Sequence, residues 1–490
     1  MSAKHPAPVL ILVAMAALAT ALAQAAPQTP PAPAAPAAGG TPPAQAAPAA
    51  APAVDDGARL QVYHDFRALF DAHKYADALP LAERLVTMTE AATAADDLAL
   101  ATPLVNLGAT QYQTGDYPGA EASYLRAIRI IEQRVGGVSE PLIAPLHGLG
   151  LNYIAADQTD AAIGVLRRAV DVSRKVDGLF NETQLALLDP LIRCYTRAGQ
   201  IDDAERERLY SIHVAESVYG ADNIKVAPYL EKTAQWYSRV DRNRTARQYY
   251  GRELTLLQKA LGNSDLRLVP PLRGIATTYR LDFLYGPEET EDAASRSTSG
   301  LGASFGTANL GTPDYSPATA RLDPTGEQAL RNALRITETP PNADPAQHAG
   351  VLIDLGDWLS LGSDRKQALQ AYHQAWPLLE GLPPPQNAAL SAPAQLMYRV
   401  PLVGIRSQRA KPEEIVEGYV DVEFTVTSDG RVLGEHVVGK DASDAQANAV
   451  LAAIKKARYR PRFEHGDPVE TKDVRFHQAV FSVKPSSKKN

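Results

Sequence analysis

The 490-residue sequence contains a single cysteine, few aromatic residues and no excess of basic residues. Cys194 cannot form a disulfide within the chain, and its position in a helical apolar pattern favours a small buried side chain. A net charge of -7 argues against nucleic-acid binding, which usually comes with a strong basic bias. The sequence lacks the GxxxxGK[ST], HExxH and CxxC motifs, and its ten histidines are scattered. We therefore predict no metal site and no cofactor.

One short motif is typical of a catalytic nucleophile. Gly302-Ala303-Ser304-Phe305-Gly306 matches the G-x-S-x-G pattern, which needs its serine on a tight turn between a buried strand and a helix. The residues before it, 295–299 (SRSTS), do not have the pattern of a strand. We predict that the protein is not an enzyme. The alternative is an enzyme, a hydrolase that uses Ser304 as its nucleophile.

The N-terminus has the composition of an export signal. A short positive segment precedes an apolar run from Pro8 to Ala23, and small-x-small cleavage patterns end at Ala23 and Ala25. As a helix the run would reach about 24 Å, which is short of the roughly 30 Å hydrocarbon core. We predict a cleaved signal peptide over residues 1–25 and a periplasmic protein. The alternative is an uncleaved inner-membrane anchor with the rest of the chain facing the periplasm, and only then would the protein contact a membrane.

Residues 26–54 consist mainly of proline and alanine and predict a disordered, extended linker. After them the sequence repeats itself with a period of 42 residues. Four glycines have this spacing: Gly136, Gly178, Gly220 and Gly262. Small residues share it: Ala78, Ala120, Ala162, Ala204 and Ala246. We expect each glycine to end the second helix of a pair, and each alanine to lie where two helices cross.

These positions resemble the tetratricopeptide repeat family. The resemblance rests on Leu107-Gly108, Tyr117, Ala120, Tyr124 and Ala127, and on the equivalent residues of the next unit. The long period is similar to that of kinesin-light-chain repeats. The resemblance implies an α-helical solenoid over residues 55–385. Residues 286–324 are rich in Gly, Ser, Thr and Pro, which predicts a loop inserted there. A further unit contains Leu355-Gly356, Ala368 and Tyr372, and Pro383-Pro384-Pro385 ends the solenoid.

The last ninety residues change from helical to alternating periodicity. Val420, Val422, Phe424 and Val426 alternate with polar residues, which indicates a half-buried strand. Ser428-Asp429-Gly430 predicts a hairpin turn to a strand over 432–438, followed by a helix over 445–457 and a third strand over 474–483. Residues 400–485 resemble the C-terminal domain of the TonB family, mainly in residues 418–426, Asp429-Gly430-Arg431-Val432, 458–461 (RYRP) and 466–468 (GDP). The fold class is therefore mainly α, a tetratricopeptide solenoid followed by a small α+β domain.

Both resemblances imply binding to other proteins. In such a solenoid the first helices line a concave groove, and the family resemblance implies that the C-terminal domain adds a partner segment as a strand. We predict a periplasmic scaffold whose partner is an outer-membrane receptor or an envelope complex. The alternative is a membrane-anchored energy transducer for outer-membrane transport.

The candidate partner-binding residues are Arg193, Glu231, Gln235, Arg273, Arg280, Arg458, Arg460, Val474, Phe476 and Val480. A basic cluster around Arg458 also contains Lys455, Lys456 and Arg462. As a functional site it would contact an acidic partner or an anionic lipid surface. The alternative is that it is only the solvated end of a helix.

Overall fold

The computed structural model describes residues 56–286, 321–338, 344–362, 364–401 and 415–483. The chain divides into two compact units, residues 1–226 and 227–490. The predicted signal peptide, the linker, Ser304 and most of the predicted insertion lie outside the described residues. The helices of the N-terminal unit are α1 (Asp56–Asp71), α2 (Tyr75–Ala92), α3 (Ala101–Thr114), α4 (Tyr117–Arg134), α5 (Ile143–Ala155), α6 (Thr159–Val176), α7 (Glu182–Arg197) and α8 (Ile201–Tyr219).

Consecutive helices pack as antiparallel pairs because small residues recur where the two helices cross, as the sequence predicted. The recurring alanines Ala78, Ala120, Ala162 and Ala204 are completely buried in this unit. A larger side chain one turn later fills the neighbouring space, as Tyr124 does against Gly108 and Gly148. The glycines that end α4, α6 and α8 have positive φ angles of 105°, 88° and 92°. Glycine adopts this left-handed backbone without strain, so each closes the turn to the next pair.

Arg208 stands at a position where other repeats carry an apolar or aromatic side chain, yet it is buried. Its guanidinium Nη1 lies 2.9 Å from Oδ1 of Asp189 on α7, and its side chain is only 7% exposed. The buried charge is therefore paired within the same helical pair, which is the condition for burying an arginine. Ile192, which replaces the repeat glycine on α7, is also completely buried.

The C-terminal unit continues with helical pairs and ends in a sheet domain. Its helices are α9 (Ala227–Arg239), α10 (Asn243–Leu261), α11 (Val269–Tyr285), α12 (Pro324–Glu338), α13 (Pro345–Leu361), α14 (Arg365–Glu380) and α15 (Asp444–Lys456). The first six form three consecutive pairs, and α12 begins at Pro324, where the predicted insertion ends. Ala246 and Ala368 are buried at the crossings, with Tyr250 and Tyr372 one turn later.

A three-stranded antiparallel sheet forms the framework of the C-terminal domain. Its strands are β2 (Ile415–Val426), β3 (Val432–Asp441) and β7 (Thr471–Val483), in the order β3-β2-β7. The alternating residues Val420, Val422, Phe424 and Val426 are buried against α15, together with Val450 and Ile454 of that helix. A capping box joins Ser443 and Gln446 at the start of α15.

Four short strands were absent from the sequence prediction. These are β1 (Ala394–Met397), β4 (Arg458–Arg460), β5 (Arg462–Glu464) and β6 (Asp467–Val469). β1 pairs antiparallel with β4, and β5 pairs antiparallel with β6. The predicted order of strand, strand, helix, strand was therefore incomplete. Strands of three or four residues are too short to show an alternating pattern in the sequence.

Candidate protein-binding surfaces

A groove crosses the first helices of three pairs in the C-terminal unit. It contains a cavity of about 510 Å³ between α9, α11 and α13, with α10 forming one wall. The side chains that line it are mainly polar, and they include Glu231, Gln235, Tyr250, Arg273, Thr277, Gln347 and Asp354. We call this cavity the α11 groove.

The positive charges of the α11 groove are already paired. Arg273 Nε lies 2.6 Å from Asp354 Oδ2 across the groove. Arg267 Nε and Nη2 lie 2.9 Å and 3.0 Å from the two carboxylate oxygens of Asp265. In contrast, Glu231 Oε1 accepts its hydrogen bond from a neutral group, Nε2 of Gln235, at 3.0 Å. The unpaired charge that lines the groove is therefore negative.

A second carboxylate is buried next to Glu231. Glu253 on α10 is 3% exposed, and its Oε2 has no hydrogen-bond partner. Burial raises the pKa of Glu253 to about 8, and the negative charge of Glu231 contributes to the shift. Tyr250, one turn earlier on α10, lies directly over the α11 backbone, where a Cβ added to Gly274 would come within 2.4 Å of its ring.

The predicted groove residues lie in three places. Glu231, Gln235 and Arg273 line the α11 groove together. Arg280 lies two turns further along α11, with Nη1 3.7 Å from Asp357 Oδ2. Arg193 belongs to the N-terminal unit, where it is exposed on α7 and its charge lowers the pKa of Tyr112, which burial raises.

The C-terminal domain is docked on the last helical pair through a buried ion pair. Arg460 of β4 places Nη1 3.2 Å from both carboxylate oxygens of Asp357 on α13. Tyr372 of α14 donates a hydrogen bond of 2.9 Å to the same carboxylate. Burial raises the pKa of Asp357, and Arg460 opposes that shift. Asp357 thus connects the groove helix α11, through Arg280, with the C-terminal domain, through Arg460.

An aromatic cluster completes this docking surface. The ring of Phe463 on β5 is 1% exposed and lies 5.7 Å from those of Tyr372 and His373 and 6.3 Å from that of Trp376, all on α14. The main-chain N–H of Phe463 donates to the carbonyl of Leu390 at 2.8 Å. Edge-to-face and offset aromatic pairs of this kind add to the free energy of burying the rings.

The sheet offers β7 as an outer strand. All of its pairing among the described strands is with β2, over the register Ile415↔Val483 to Val426↔Thr471. Near its end, the carbonyls of Ala479 and Phe481 accept hydrogen bonds from the side-chain amides of Gln478 and Gln446, at 2.7 Å and 3.1 Å. In an antiparallel pair the main-chain groups of alternate residues face the neighbouring strand and those of the others face away, so every second residue of β7 turns its main-chain groups outward.

The structure places the predicted C-terminal residues in different surroundings. The side chains of Val474, Phe476 and Val480 are partly buried against the domain core, so β7 offers a partner its main chain more readily than these side chains. Arg460 belongs to a buried ion pair and not to an exposed basic patch. Arg458 donates to the carbonyls of Lys456 and Ala457, and Arg462 pairs with Glu464 of its own hairpin.

Other candidate groups offer no second site in the described part of the chain. Cys194 is 4% exposed, and burial raises the pKa of its thiol, which makes it a packing residue and not a nucleophile. Across the described ranges, no three His, Cys, Asp or Glu side chains are grouped so that they could hold a metal ion. Within the same ranges, no helix combines the length and the apolar character needed to cross a bilayer.

Comparison with protein families identifies both parts of the chain. Residues 67–133 and 100–175 match the profile of the tetratricopeptide repeat, and residues 407–477 match that of the Gram-negative bacterial TonB protein C-terminal domain. The chain carries tetratricopeptide repeats and a TonB C-terminal domain. Among curated protein sequences, none matches it.

Three solved structures similar to the chain are repeat proteins of low sequence identity. The nearly identical TPR-like repeats of a kinesin-light-chain-like protein from Podosopora anserina are 15% identical, with a TM-score of 0.38 over 41% of this chain and 96% of that one. BtubC from P. vanneervenii is 15% identical, with a TM-score of 0.28 over 67% and 95%. The apo quorum sensor NprR from B. thuringiensis is 15% identical, with a TM-score of 0.33 over 66% and 87%.

Sequence reasoning did not find the surface that joins the TonB C-terminal domain to the repeats. Phe463 lies in a strand that is too short to show a pattern in the sequence, and the pattern around Asp357 indicates only a helix. Their partners lie far away in sequence, 103 residues apart for Asp357 and Arg460. The available signal was weak: an acidic residue, Asp357, follows the repeat glycine Gly356 at a position that the structure buries.

Proposed function

We propose that this protein is a periplasmic adaptor that holds protein partners at two surfaces, the α11 groove and the outer edge of β7. The observation that carries the proposal is the docking of the TonB C-terminal domain on the last repeat through Asp357, Arg460 and Phe463. Because of this contact, both binding surfaces belong to one unit of the chain. A partner held at one surface is therefore kept close to a partner held at the other, which raises its effective concentration.

The α11 groove suits an extended peptide segment. Its lining supplies amide, hydroxyl and carboxylate groups from Gln235, Thr277, Gln347 and Asp354, and a peptide main chain needs such donors and acceptors when it leaves water. A cavity of about 510 Å³ lies in the size range of sites that bind side chains and small molecules.

The edge of β7 suits strand addition. The main-chain groups of residues 474–478 come before the two carbonyls, those of Ala479 and Phe481, that accept hydrogen bonds from the side chains of Gln478 and Gln446. A partner strand could pair there without displacing these two side chains. Main-chain hydrogen bonds would supply affinity, while exposed side chains such as Arg475 would contribute specificity.

Photo-crosslinking in the native host tests the adaptor directly. A photoreactive residue replaces Arg475 at the β7 edge or Gln235 in the groove, and one at Glu338, exposed on the last turn of α12, is the control. We expect discrete protein adducts from the first two positions and none from Glu338. Adducts absent from both surfaces, with the protein folded and expressed at its normal level, would rule out the adaptor.

The periplasmic location rests on the N-terminal signal-like sequence. Sequencing the N-terminus of the mature protein separates the adaptor from the membrane-anchored energy transducer. A start near Ala26 supports a released periplasmic protein. An intact N-terminus in the membrane fraction favours the transducer, because residues 1–25 would then anchor the chain in the inner membrane.

Binding without catalysis is part of the same proposal. It is supported by the match to two families of interaction modules. The competing hydrolase would use Ser304, which lies outside the described residues. Labelling of the full chain by an active-site serine probe, lost on Ser304→Ala, would favour the hydrolase over the adaptor.

A further inference from the structure

We infer that the α11 groove takes a basic side chain, Lys or Arg, from the bound peptide, and that its cationic group is held by Glu231, which lines the groove next to the buried Glu253. This inference rests on the proposed peptide-binding function of the groove. It adds the chemical class of the residue that the partner must present.

The arginines of the groove have carboxylate partners that reduce their attraction for an acidic ligand. Arg273 and Asp354 form a contact of 2.6 Å in which each side chain is less than half exposed. Arg267 is held by Asp265 through two hydrogen bonds. An acidic peptide would have to compete with these internal carboxylates for the same donors, and it would also be repelled by Glu231.

The carboxylates of Glu231 and Glu253 lack such partners. In the described part of the chain, Glu231 has a hydrogen bond from Gln235 but no cationic partner, and Glu253 Oε2 has no partner at all. A buried polar atom without a partner raises the free energy of the folded protein. An ammonium or guanidinium group next to Glu231 would supply the missing positive charge and N–H donors.

The space in front of these carboxylates can hold a long side chain. The cavity volume of about 510 Å³ exceeds what a bridging water requires, and Glu231 and Tyr250 both line it. The flat Tyr250 ring, fixed over the α11 backbone at Gly274, provides an apolar wall for the methylene groups of Lys or Arg. A shorter neutral side chain would leave Glu231 without a cationic partner.

Peptide selection on the full-length protein tests the inference. Four short peptide libraries carry Arg, Lys, norleucine or Glu at one fixed central position, with random residues around it, and binding is measured to the wild type and to Glu231→Gln. We expect the Arg and Lys libraries to bind the wild type about tenfold more tightly than the norleucine library. Glu231→Gln should remove most of this preference, whereas the exposed control Glu338→Gln should retain it. Circular dichroism confirms that each variant is folded, and Glu253→Gln shows whether the neighbouring buried carboxyl contributes to the preference.

The outcomes separate the inference from the proposed function. If peptides bind the wild type without a basic preference, or the preference persists in Glu231→Gln, the inference is wrong while peptide binding stands. A preference for the Glu library is also contrary to it. If no library binds the folded wild type, peptide binding in the groove fails together with the inference, and the crosslinks at Arg475 then test the β7 edge alone.

Discussion

Arg460 and Asp357 form a buried ion pair that joins the TonB C-terminal domain to the last tetratricopeptide repeat. Their side chains are 14% and 9% exposed, and Nη1 of the arginine lies 3.2 Å from each carboxylate oxygen. Because Asp357 also accepts a hydrogen bond from Tyr372, its charge is compensated from two directions. The two domains are therefore expected to unfold as one cooperative unit.

Replacing Arg460 should separate them. Arg460→Ala leaves Asp357 buried with Arg280 as its remaining ion-pair partner, at 3.7 Å, and should cost about 3 kcal/mol of unfolding free energy. We expect urea unfolding to split into two transitions and limited proteolysis to cut between α14 and β1. The control Arg462→Ala removes a more exposed pair with Glu464 and should cost less than about 1 kcal/mol. A single transition with unchanged proteolysis in Arg460→Ala would mean that this ion pair does not hold the domains together.

Phe463 should contribute to the same docking by burial. Phe463→Ala removes a ring that is 1% exposed and leaves a cavity against Tyr372 and Trp376, at a cost of about 3–5 kcal/mol. The tryptophan emission of the folded protein should shift to longer wavelength, because Trp376 gains contact with water. Phe481→Ala, at a ring that is 42% exposed, is the control: it should cost less free energy of unfolding than Phe463→Ala and should not shift the emission. An unshifted emission would contradict the contact with Trp376.

The buried carboxylate of Glu253 predicts a pH dependence of stability. Burial, with a contribution from Glu231, raises its pKa from 4.5 to about 8. Between these values the folded state binds a proton that the unfolded state does not bind, so stability falls as the pH rises, by up to about 1.4 kcal/mol per pH unit. Glu253→Gln removes this contribution. We expect urea titrations from pH 5 to pH 8 to show a shallower decline for the variant, which should be at least as stable as the wild type above pH 8. Parallel curves would show that Glu253 ionises at an ordinary pH.

The parts that could be predicted from the sequence are those that repeat or alternate. Ala120 and Tyr124 could be assigned to a helix crossing because the same pair of sizes returns every 42 residues, and Val420 and Phe424 could be assigned to a strand by alternation. The docking surface has no such period. Phe463 meets Tyr372 through contacts that depend on how two domains pack, and packing of distant segments leaves no local pattern. The same holds for Glu253, whose burial follows from its neighbours and not from its own position in a motif.

The close approach of the paired helices can be tested with two glycines. A Cβ added at Gly356 on α13 would lie 2.3 Å from Cε1 of Tyr372, whereas one added at Gly164 on α6 would meet nothing within 4 Å. Gly356→Ala should therefore destabilise the protein by about 1–3 kcal/mol, since the Tyr372 ring must move. Gly164→Ala should be neutral or stabilising by up to about 1 kcal/mol, because alanine favours the helix. Thermal unfolding of both variants measures the contrast, and equal effects would disprove the tight crossing.

Strand addition at β7 predicts opposite effects for proline at two neighbouring positions. If the odd-numbered residues turn their main-chain groups outward, His477→Pro removes an outward N–H donor and leaves the pairing with β2 in place, as proline on an edge strand does. Phe476→Pro removes a donor that faces β2 and displaces a ring packed on Tyr398. We expect His477→Pro to retain the folded domain but to lose the crosslinks formed at Arg475. Phe476→Pro should instead unfold the domain, as measured by circular dichroism and proteolysis.

Because His477 also contacts Asp421 at 2.6 Å, His477→Ala is the control that removes this contact alone. Crosslinks that persist in a folded His477→Pro protein would show that the partner does not pair with the β7 main chain there.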